Sequence, residues 1–328
     1  MVNNKGQLWI SWELQRRSIE LSKKFDCELF VFDCDKVRNR CFRIMKCSFL
    51  TILCLHKNKP KIVFCQNPSI FLAFLLCTLK KIFRFTLFVD RHSNFMFRNE
   101  DLFWYRYFMV LSNYTIKKAD VTIVTNADLR EKFISPLGSR SEILPDALPE
   151  MMSEVVIDWG DQKKRVFFIA SFAKDEPISE FFEAISDISE DYYFYISGNY
   201  DNYNKAFERY GRNYELTGFV SDSDFKKILN SVDAVMVFTV NDFTLTCGAY
   251  EGVSVEKPLI LSDTTTIKKY FNKGCVYCNP TPESIKKGIF DCFENYDKLK
   301  SHIKELKKEL DYSWNVQFQN IKKIVDKL

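Results

Sequence analysis

Two doubly wound α/β domains are what this sequence predicts, from three observations. Short runs rich in Val, Ile, Phe and Leu alternate with stretches whose apolar residues recur every three or four positions. The alternation stops once, over residues 147–164, and then restarts. The 328 residues also exceed what one ordinary core organises, which favours two.

In the first half the strand candidates are residues 7–12, 28–33, 61–67, 83–90, 121–126 and 142–146. In the second they are 165–171, 192–198, 214–219, 234–240, 259–263 and 275–279. Runs so continuously apolar suit parallel strands buried on both faces. Strand–helix–strand repetition then builds the doubly wound arrangement. The interruption, ALPEMMSEVVIDWGDQKK, holds a Pro, a Gly and several charges, and reads as a linker. The expected domains are therefore residues 1–150 and 151–311, with 312–328 forming a last helix that returns to the first domain. Two such sheets facing one another imply a cleft at the carboxyl ends of the strands, where open α/β sheets bind ligands.

Composition narrows the class. Hydrophobic residues make up 46% and charged residues 27%, which excludes a disordered chain; 31 Phe and 15 Tyr supply apolar area for two cores. The longest apolar runs, residues 47–55 and 70–79, fall short of the ~20 residues that a spanning helix requires. No secretory segment opens the sequence, and the 11 Cys lack paired metal-type spacing, so reduced thiols in the cytoplasm are expected.

Charge is uneven along the chain. Residues 1–150 hold 24 Lys and Arg against 15 Asp and Glu, whereas the remainder holds 23 against 28. A basic first half suggests an anionic partner, with an unevenly charged solvated surface as the plain alternative. Within it, residues 36–57 mix cations with Phe, Leu and Ile. Such a segment either lies on an anionic leaflet or packs its apolar face on the sheet and turns its basic face outward.

Chemistry concentrates in residues 232–263, VDAVMVFTVNDFTLTCGAYEGVSVEKPLILSD. A buried strand ends at Asn241-Asp242, a polar loop follows, and a helix begins near Thr246-Cys247-Gly248. A glycine in a first helical turn lets a ligand approach the backbone, and the free N–H groups there suit phosphate oxygens. Glu251 follows one turn later. The plainer reading makes Gly248 a packing glycine and Glu251 a surface carboxylate. The segment is neither G-x-G-x-x-G nor a Walker loop, so dehydrogenase and kinase readings lose support.

This segment resembles the donor-binding motif of GT-B glycosyltransferases, particularly family 4, in which two glutamates eight positions apart precede a Gly-x-Pro. Glu251 matches the second glutamate, which the resemblance places on the ribose. Lys257-Pro258 matches the end, with Glu256 where Gly is usual. The first glutamate falls on Phe243, and Asp242 is the neighbouring candidate to act near the transferred sugar. Residues 171–185 resemble the family's pyrophosphate loop and make Lys174 a diphosphate contact, although Ser171 or Phe172 replaces the usual Arg. Residues 216–236 resemble its base-binding loop, where the backbone of Phe219-Val220 would read the nucleobase.

In the first half, residues 88–97 end a strand in Asp90-Arg91-His92-Ser93, and His92 at a strand's carboxyl end is the candidate to contact the donor sugar or orient the acceptor. Asp90 and Arg17, the latter where the first strand turns into the first helix, are acceptor-side candidates. Two Asp-x-Asp strings read more plainly as turn and cap chemistry than as metal ligands: Asp222 fits an N-cap, and Asp33-Cys34-Asp35 a polar turn.

The resemblance implies a GT-B glycosyltransferase that moves a sugar from a UDP- or GDP-linked donor to a glycan or lipid-linked glycan. Retention and metal independence are expected, since helix N–H groups and Lys174 would stabilise the leaving diphosphate. No cofactor and no nucleic acid is implied. The setting is cell-surface polysaccharide or glycoconjugate synthesis, cytoplasmic and peripheral at the anionic inner membrane face. The alternatives are a nucleotide-sugar epimerase on the same fold and a non-catalytic partner subunit.

Overall fold

The structure, a computed structural model, describes residues 6–34, 37, 39–66, 69–91, 105–201 and 213–328. The chain divides into two compact units: Met1–Asp146 with Trp314–Leu328, and Ala147–Ser313.

In the first unit the chain runs β1 (Gln7–Ser11), α1 (Arg16–Lys24), β2 (Glu28–Val31), α2 (Arg40–Asn58), β3 (Ile62–Gln66), α3 (Ile70–Phe83), β4 (Thr86–Arg91), α4 (Tyr105–Lys118), β5 (Val121–Val124), α5 (Ala127–Leu129) and β6 (Ser141–Ile143). The six strands form one parallel sheet in the order β2-β1-β3-β4-β5-β6. Successive side chains face opposite sides of the sheet. Leu8, Ile10, Val63, Cys65, Leu87 and Val89 share one core with residues of α2 and α3. On the alternate positions Trp9 stacks on Phe64 (5.2 Å) and Phe64 on Phe88 (4.6 Å), with Phe25 following α1 covering Phe64 (5.0 Å). With both faces covered, the inner strands β1, β3, β4 and β5 cannot alternate polar with apolar, which is why the sequence showed continuous apolar runs. Residues 83–85, expected within a strand, instead end α3: the helix reaches Phe83 and stops where Arg84 turns left-handed at φ 59°. A short apolar run does not by itself distinguish strand from helix end.

The second unit runs β7 (Lys164–Phe168), α6 (Ile178–Ile185), β8 (Tyr192–Ser197), β9 (Tyr214–Gly218), α7 (Asp222–Ser231), β10 (Ala234–Val237), α8 (Cys247–Ser254), β11 (Leu259–Ser262), α9 (Thr265–Tyr270), β12 (Cys275–Cys278), α10 (Pro282–Glu294) and α11 (Tyr296–Val325). Its sheet is again parallel, ordered β12-β11-β10-β7-β8-β9. The winding reverses between β7 and β10, so that is the topological switch point, where such sheets bind ligands.

Two boundaries differ from the sequence reading. The expected linker has no regular structure over 147–163, yet it belongs to the second unit. Asn230 Nδ2 donates to Met151 O (2.7 Å), Ile157 N donates to Ser231 Oγ (2.7 Å), and Trp159 lies 4.2 Å from the Arg165 guanidinium and 5.4 Å from the Tyr195 ring. Nor does a helix begin at 312. α11 is continuous for 30 residues with no Gly or Pro to stop it, and from Trp314 onward it belongs to the first unit. There Trp314 Nε1 donates to Pro145 O (3.0 Å) and Phe318 packs on Phe25 (4.7 Å). All 11 cysteines are free. Among the described residues, no helix is long and apolar enough to cross a membrane.

Candidate functional site

At the switch point of the second sheet, β7 and β10 run side by side with Phe168 opposite Met236. The loops that leave them, residues 169–177 and 238–246, are stitched together. The Asp175 carboxylate accepts from Thr239 Oγ1 (2.9 Å) and Asn241 Nδ2 (2.8 Å), and Asp175 O accepts from Val240 N (2.8 Å). Glu176 turns back on its own loop, accepting from Ser171 N (2.9 Å), Ser171 Oγ (2.7 Å) and Ala173 N (3.3 Å). Asp175 and Glu176 thus organise the loop, and α6 begins after Pro177 with no side-chain cap. Each loop also holds a phenylalanine in left-handed backbone, Phe172 at φ 59° and Phe243 at φ 62°. That conformation costs a non-glycine residue about 1–3 kcal/mol and persists only where the surroundings enforce it.

α8 starts at this place and, like α6, lacks the side-chain cap that α7, α9 and α10 have. Ser221, Thr264 and Thr281 each accept a backbone N–H at the heads of α7, α9 and α10 (3.1–3.3 Å). Thr246 occupies the same position before α8 but makes no such cap, and its buried Oγ1 has no hydrogen-bond partner among the described residues. Helix-start donors normally find an acceptor. Cys247, the first residue of the helix, is exposed.

Of the two readings of Gly248, the local geometry fits the packing glycine. Its missing side chain faces the sheet rather than a ligand: a Cβ there would stand 2.9 Å from Val237 Cγ2 and 3.0 Å from Ile169 Cγ2. Gly252, one turn on, would meet Leu259 Cδ2 at 2.4 Å. The two glycines let α8 sit directly on β10, and so fix where the head of the helix lies. Glu251, between them in sequence, is half-buried. The helix closes at Glu256 in left-handed backbone, φ 58°, with Glu256 N donating to Val253 O and Lys257 N to Gly252 O, both 3.0 Å. This explains why the resembling motif carries Gly at that position. Lys257 Nζ donates to Asn230 O (2.8 Å), and burial lowers its pKa.

The remaining second-unit candidates lie at the same carboxyl end. Asp242 Oδ1 accepts from Phe243 N (2.9 Å) and Thr266 N (3.2 Å), so this carboxylate ties the β10–α8 loop to the first turn of α9. Lys174 is exposed on the β7–α6 loop, with no ion-pair partner among the described residues. Phe219 follows β9 and is 82% exposed, and Val220 beside it is half-buried. The α7 cap falls on Ser221 rather than on Asp222; Asp224 Oδ2 accepts from Ser221 Oγ (2.7 Å) and Oδ1 meets Lys227 Nζ (3.1 Å). Of the other Asp-x-Asp string, Asp35 is outside the described residues.

In the first unit, Arg17 and Asp90 are brought together as a buried pair. Arg17 Nε and Nη2 reach Asp90 at 2.8–3.2 Å, Nη1 reaches Asp146 Oδ1 at 2.7 Å, and Nη2 also donates to Leu144 O at 2.8 Å. Burial alone would lower the Arg17 pKa, but the Asp90 and Asp146 carboxylates outweigh it and hold the group above its ordinary value. The arrangement ties the head of α1 to the carboxyl ends of β4 and β6. His92 is outside the described residues.

Several participants escaped the sequence reading. Asp175 lies within the resembling segment 171–185 and Asp146 closes a strand candidate, but neither was singled out, and their partners are 64 and 129 residues away. Gln66, at the end of β3, accepts from Ser11 Oγ and Ser18 Oγ through Oε1, while its buried Nε2 has no partner among the described residues. Its only signal was its position at the close of a strand candidate.

No family model and no curated protein matches the chain. Solved structures do. HepE of Anabaena, in complex with UDP and glucose, aligns with a TM-score of 0.74 at 10% identity over 98% of this chain and 92% of that one. Sucrose-phosphate synthase from Thermosynechococcus elongatus gives 0.76 at 10% identity over 98% of both chains. WaaG, a glycosyltransferase involved in lipopolysaccharide biosynthesis, gives 0.69 at 10% identity over 97% and 99%. The chain has the GT-B glycosyltransferase fold.

Proposed function

We propose that the protein transfers a sugar from a nucleoside diphosphate sugar bound at the switch point of its second unit. One observation carries the reading: the uncapped head of α8, with a buried Thr246 hydroxyl that finds no partner among the described residues, sits where two loops converge. A helix start of this kind binds phosphate oxygens through its backbone N–H groups and its dipole. UDP in the structure of HepE favours a uridine nucleotide here.

In the proposed complex the diphosphate lies against the first turn of α8, contacting Thr246, Cys247 and the backbone of Gly248. When the bond from the anomeric carbon to the phosphate oxygen breaks, negative charge gathers on the leaving diphosphate. The same N–H groups, with the exposed Lys174 ammonium, stabilise it, so that no metal ion is required. Glu251 accepts from the ribose hydroxyls, and Phe219-Val220 borders the base. Asp242 keeps Oδ1 on backbone amides and directs Oδ2 toward the transferred sugar. We assign retention of configuration, with the acceptor hydroxyl, from a glycan or lipid-linked glycan, attacking from the face the diphosphate leaves. On the first unit, the Arg17–Asp90 pair fixes the carboxyl end of β4, and His92, outside the described residues, is assigned to the acceptor side. The setting is cell-surface polysaccharide or glycoconjugate synthesis.

Calorimetric titration of the full chain with UDP, GDP and ADP tests the reading. UDP is expected to bind, and Glu251→Ala to weaken it by tenfold or more, since hydrogen bonds to a charged group contribute about 1.5–3 kcal/mol. Absence of nucleotide binding, or unchanged affinity in Glu251→Ala, rejects it. Product analysis with donor alone separates transfer from epimerisation, because only an epimerase isomerises the donor without an acceptor.

A further inference from the structure

The amino ends of β7 and β10 carry a second concavity, at the opposite edge of the sheet from the loops of the proposed donor site. β7 is five residues long, so about 13 Å of strand separates the two places. The cleft measures about 360 Å³, a size typical of small-molecule sites. One wall is the segment 157–165; the other is the start of β10 with the turn between α10 and α11.

The first wall holds its shape with little regular structure. Ile157 N donates to Ser231 Oγ (2.7 Å), Gly160 N to Asp158 Oδ1 (2.9 Å) and Lys163 N to Asp161 Oδ1 (3.1 Å). Arg165, only 6% exposed, closes it. Its Nη1 donates to Lys163 O (3.0 Å), its Nη2 to Asp161 Oδ1, and its guanidinium lies 4.2 Å from the Trp159 ring. Across the cleft Asp233 Oδ2 accepts from Arg165 N (2.8 Å).

One oxygen of each carboxylate is left over. Asp158 Oδ2, Asp161 Oδ2 and Asp233 Oδ1 accept no hydrogen bond among the described residues. Lys163 and Lys164 make no ion pair among them, and the Tyr296 hydroxyl has no hydrogen-bond partner there. Burial, with Asp233 adding to it, pushes that hydroxyl up to about 12, so it stays protonated and able to donate. The Tyr296 and Phe293 rings, both half-buried, lie parallel with centroids 6.1 Å apart and 5° between their planes.

This lining selects its ligand. The carboxylates of Asp158, Asp161 and Asp233 balance the cations of Lys163, Lys164 and Arg165. A phosphate or nucleotide is drawn by one set and repelled by the other. An apolar molecule would strip water from both. A neutral sugar fits, because each hydroxyl both donates and accepts, as the unused oxygens and the Lys163 and Tyr296 donors require. Its C–H face then rests on the negative face of an aromatic ring.

We infer that this cleft is a second carbohydrate site, taking one or two neutral sugar units of a glycan at a distance from the transfer reaction. The inference stands whether or not the other edge of the sheet binds a nucleotide.

The test is saturation-transfer NMR and calorimetry of the full chain with glucose, galactose, N-acetylglucosamine, maltose, cellobiose and lactose. At least one of these is expected to bind, with the same affinity in excess UDP and in Glu251→Ala. The double variant Asp158→Asn/Tyr296→Phe should weaken it about tenfold or more, since each change removes one hydrogen bond to the sugar. Asn keeps the acceptor for Gly160 N and Phe keeps the ring, so thermal unfolding should match the parent. Failure of every sugar to bind, or undiminished binding by the double variant, overturns the inference. Displacement by UDP or loss in Glu251→Ala does so too, placing the sugar in the donor site, as does competition by inorganic phosphate.

Discussion

Replacing Gly248 by Ala adds one methyl group between α8 and the sheet at the proposed donor site. In the present geometry that carbon would stand 2.9 Å from Val237 Cγ2, 3.0 Å from Ile169 Cγ2 and 3.1 Å from Ile169 Cβ. Both neighbours are β-branched and stiff about χ1, so neither swings aside without leaving its rotamer. Overpacking of this kind costs about 1–3 kcal/mol, against which the better helix propensity of Ala recovers up to ~1 kcal/mol. A net loss of about 1–2 kcal/mol is expected, a fall of a few degrees in the melting transition of a unit this size. Relieving the clash by tilting the head of α8 moves the donors away from the diphosphate, so UDP affinity should fall with stability. Circular dichroism melts and calorimetric UDP titration read the two effects. Combining the change with Ile169→Ala, which removes the atoms at 3.0 Å and makes room, should show favourable coupling in a double-mutant cycle. A Gly248→Ala protein as stable as the parent, with unchanged UDP affinity, refutes the close-packing argument.

Two further outcomes are expected. Arg17→Met leaves the Asp90 carboxylate buried without its cation and should cost about 3–5 kcal/mol in urea unfolding; a loss below about 1 kcal/mol contradicts the clamp. Among the thiols, Cys41 and Cys247 are exposed and should react first with Ellman's reagent, with UDP slowing Cys247 alone; equal protection of both would place the nucleotide elsewhere. Cys77, Cys278 and Cys292 should stay unreactive, because burial pushes each thiol up to about 12 from an ordinary value near 9. Their contribution to stability is complete below pH 9 and is lost as pH rises from 9 toward 12, by about 1.4 kcal/mol per pH unit for each thiol. A flat unfolding free energy across that window would count against their burial.

The alternation of elements was legible in the sequence because its cause is local. A strand covered on both faces must be apolar at nearly every position, so Ile62–Gln66 and Leu259–Ser262 were apparent as runs before any contact was known. Glu251 and Lys174 came from a linear motif; Lys174 lies on the loop that follows β7, and Glu251 one turn into α8. The departures at Glu256 and Phe243 were also visible, but only as unexpected residue types. That both hold left-handed backbone is a property of the folded loops.

What the sequence by itself determined is the repeating strand–helix pattern, the two sheets and the segment that resembles a donor-binding motif. The tertiary structure decided which strands are neighbours, and hence that the loops after β7 and β10 meet at a switch point and are joined by Asp175. It decided that Gly248 faces Ile169 and Val237, and that Arg17 is paired with a carboxylate 73 residues away. It also decided that α2 turns its small Cys and Thr side chains inward and its Phe and Met side chains outward. Periodicity records that a helix has two faces, but which face is buried depends on the room its neighbours leave.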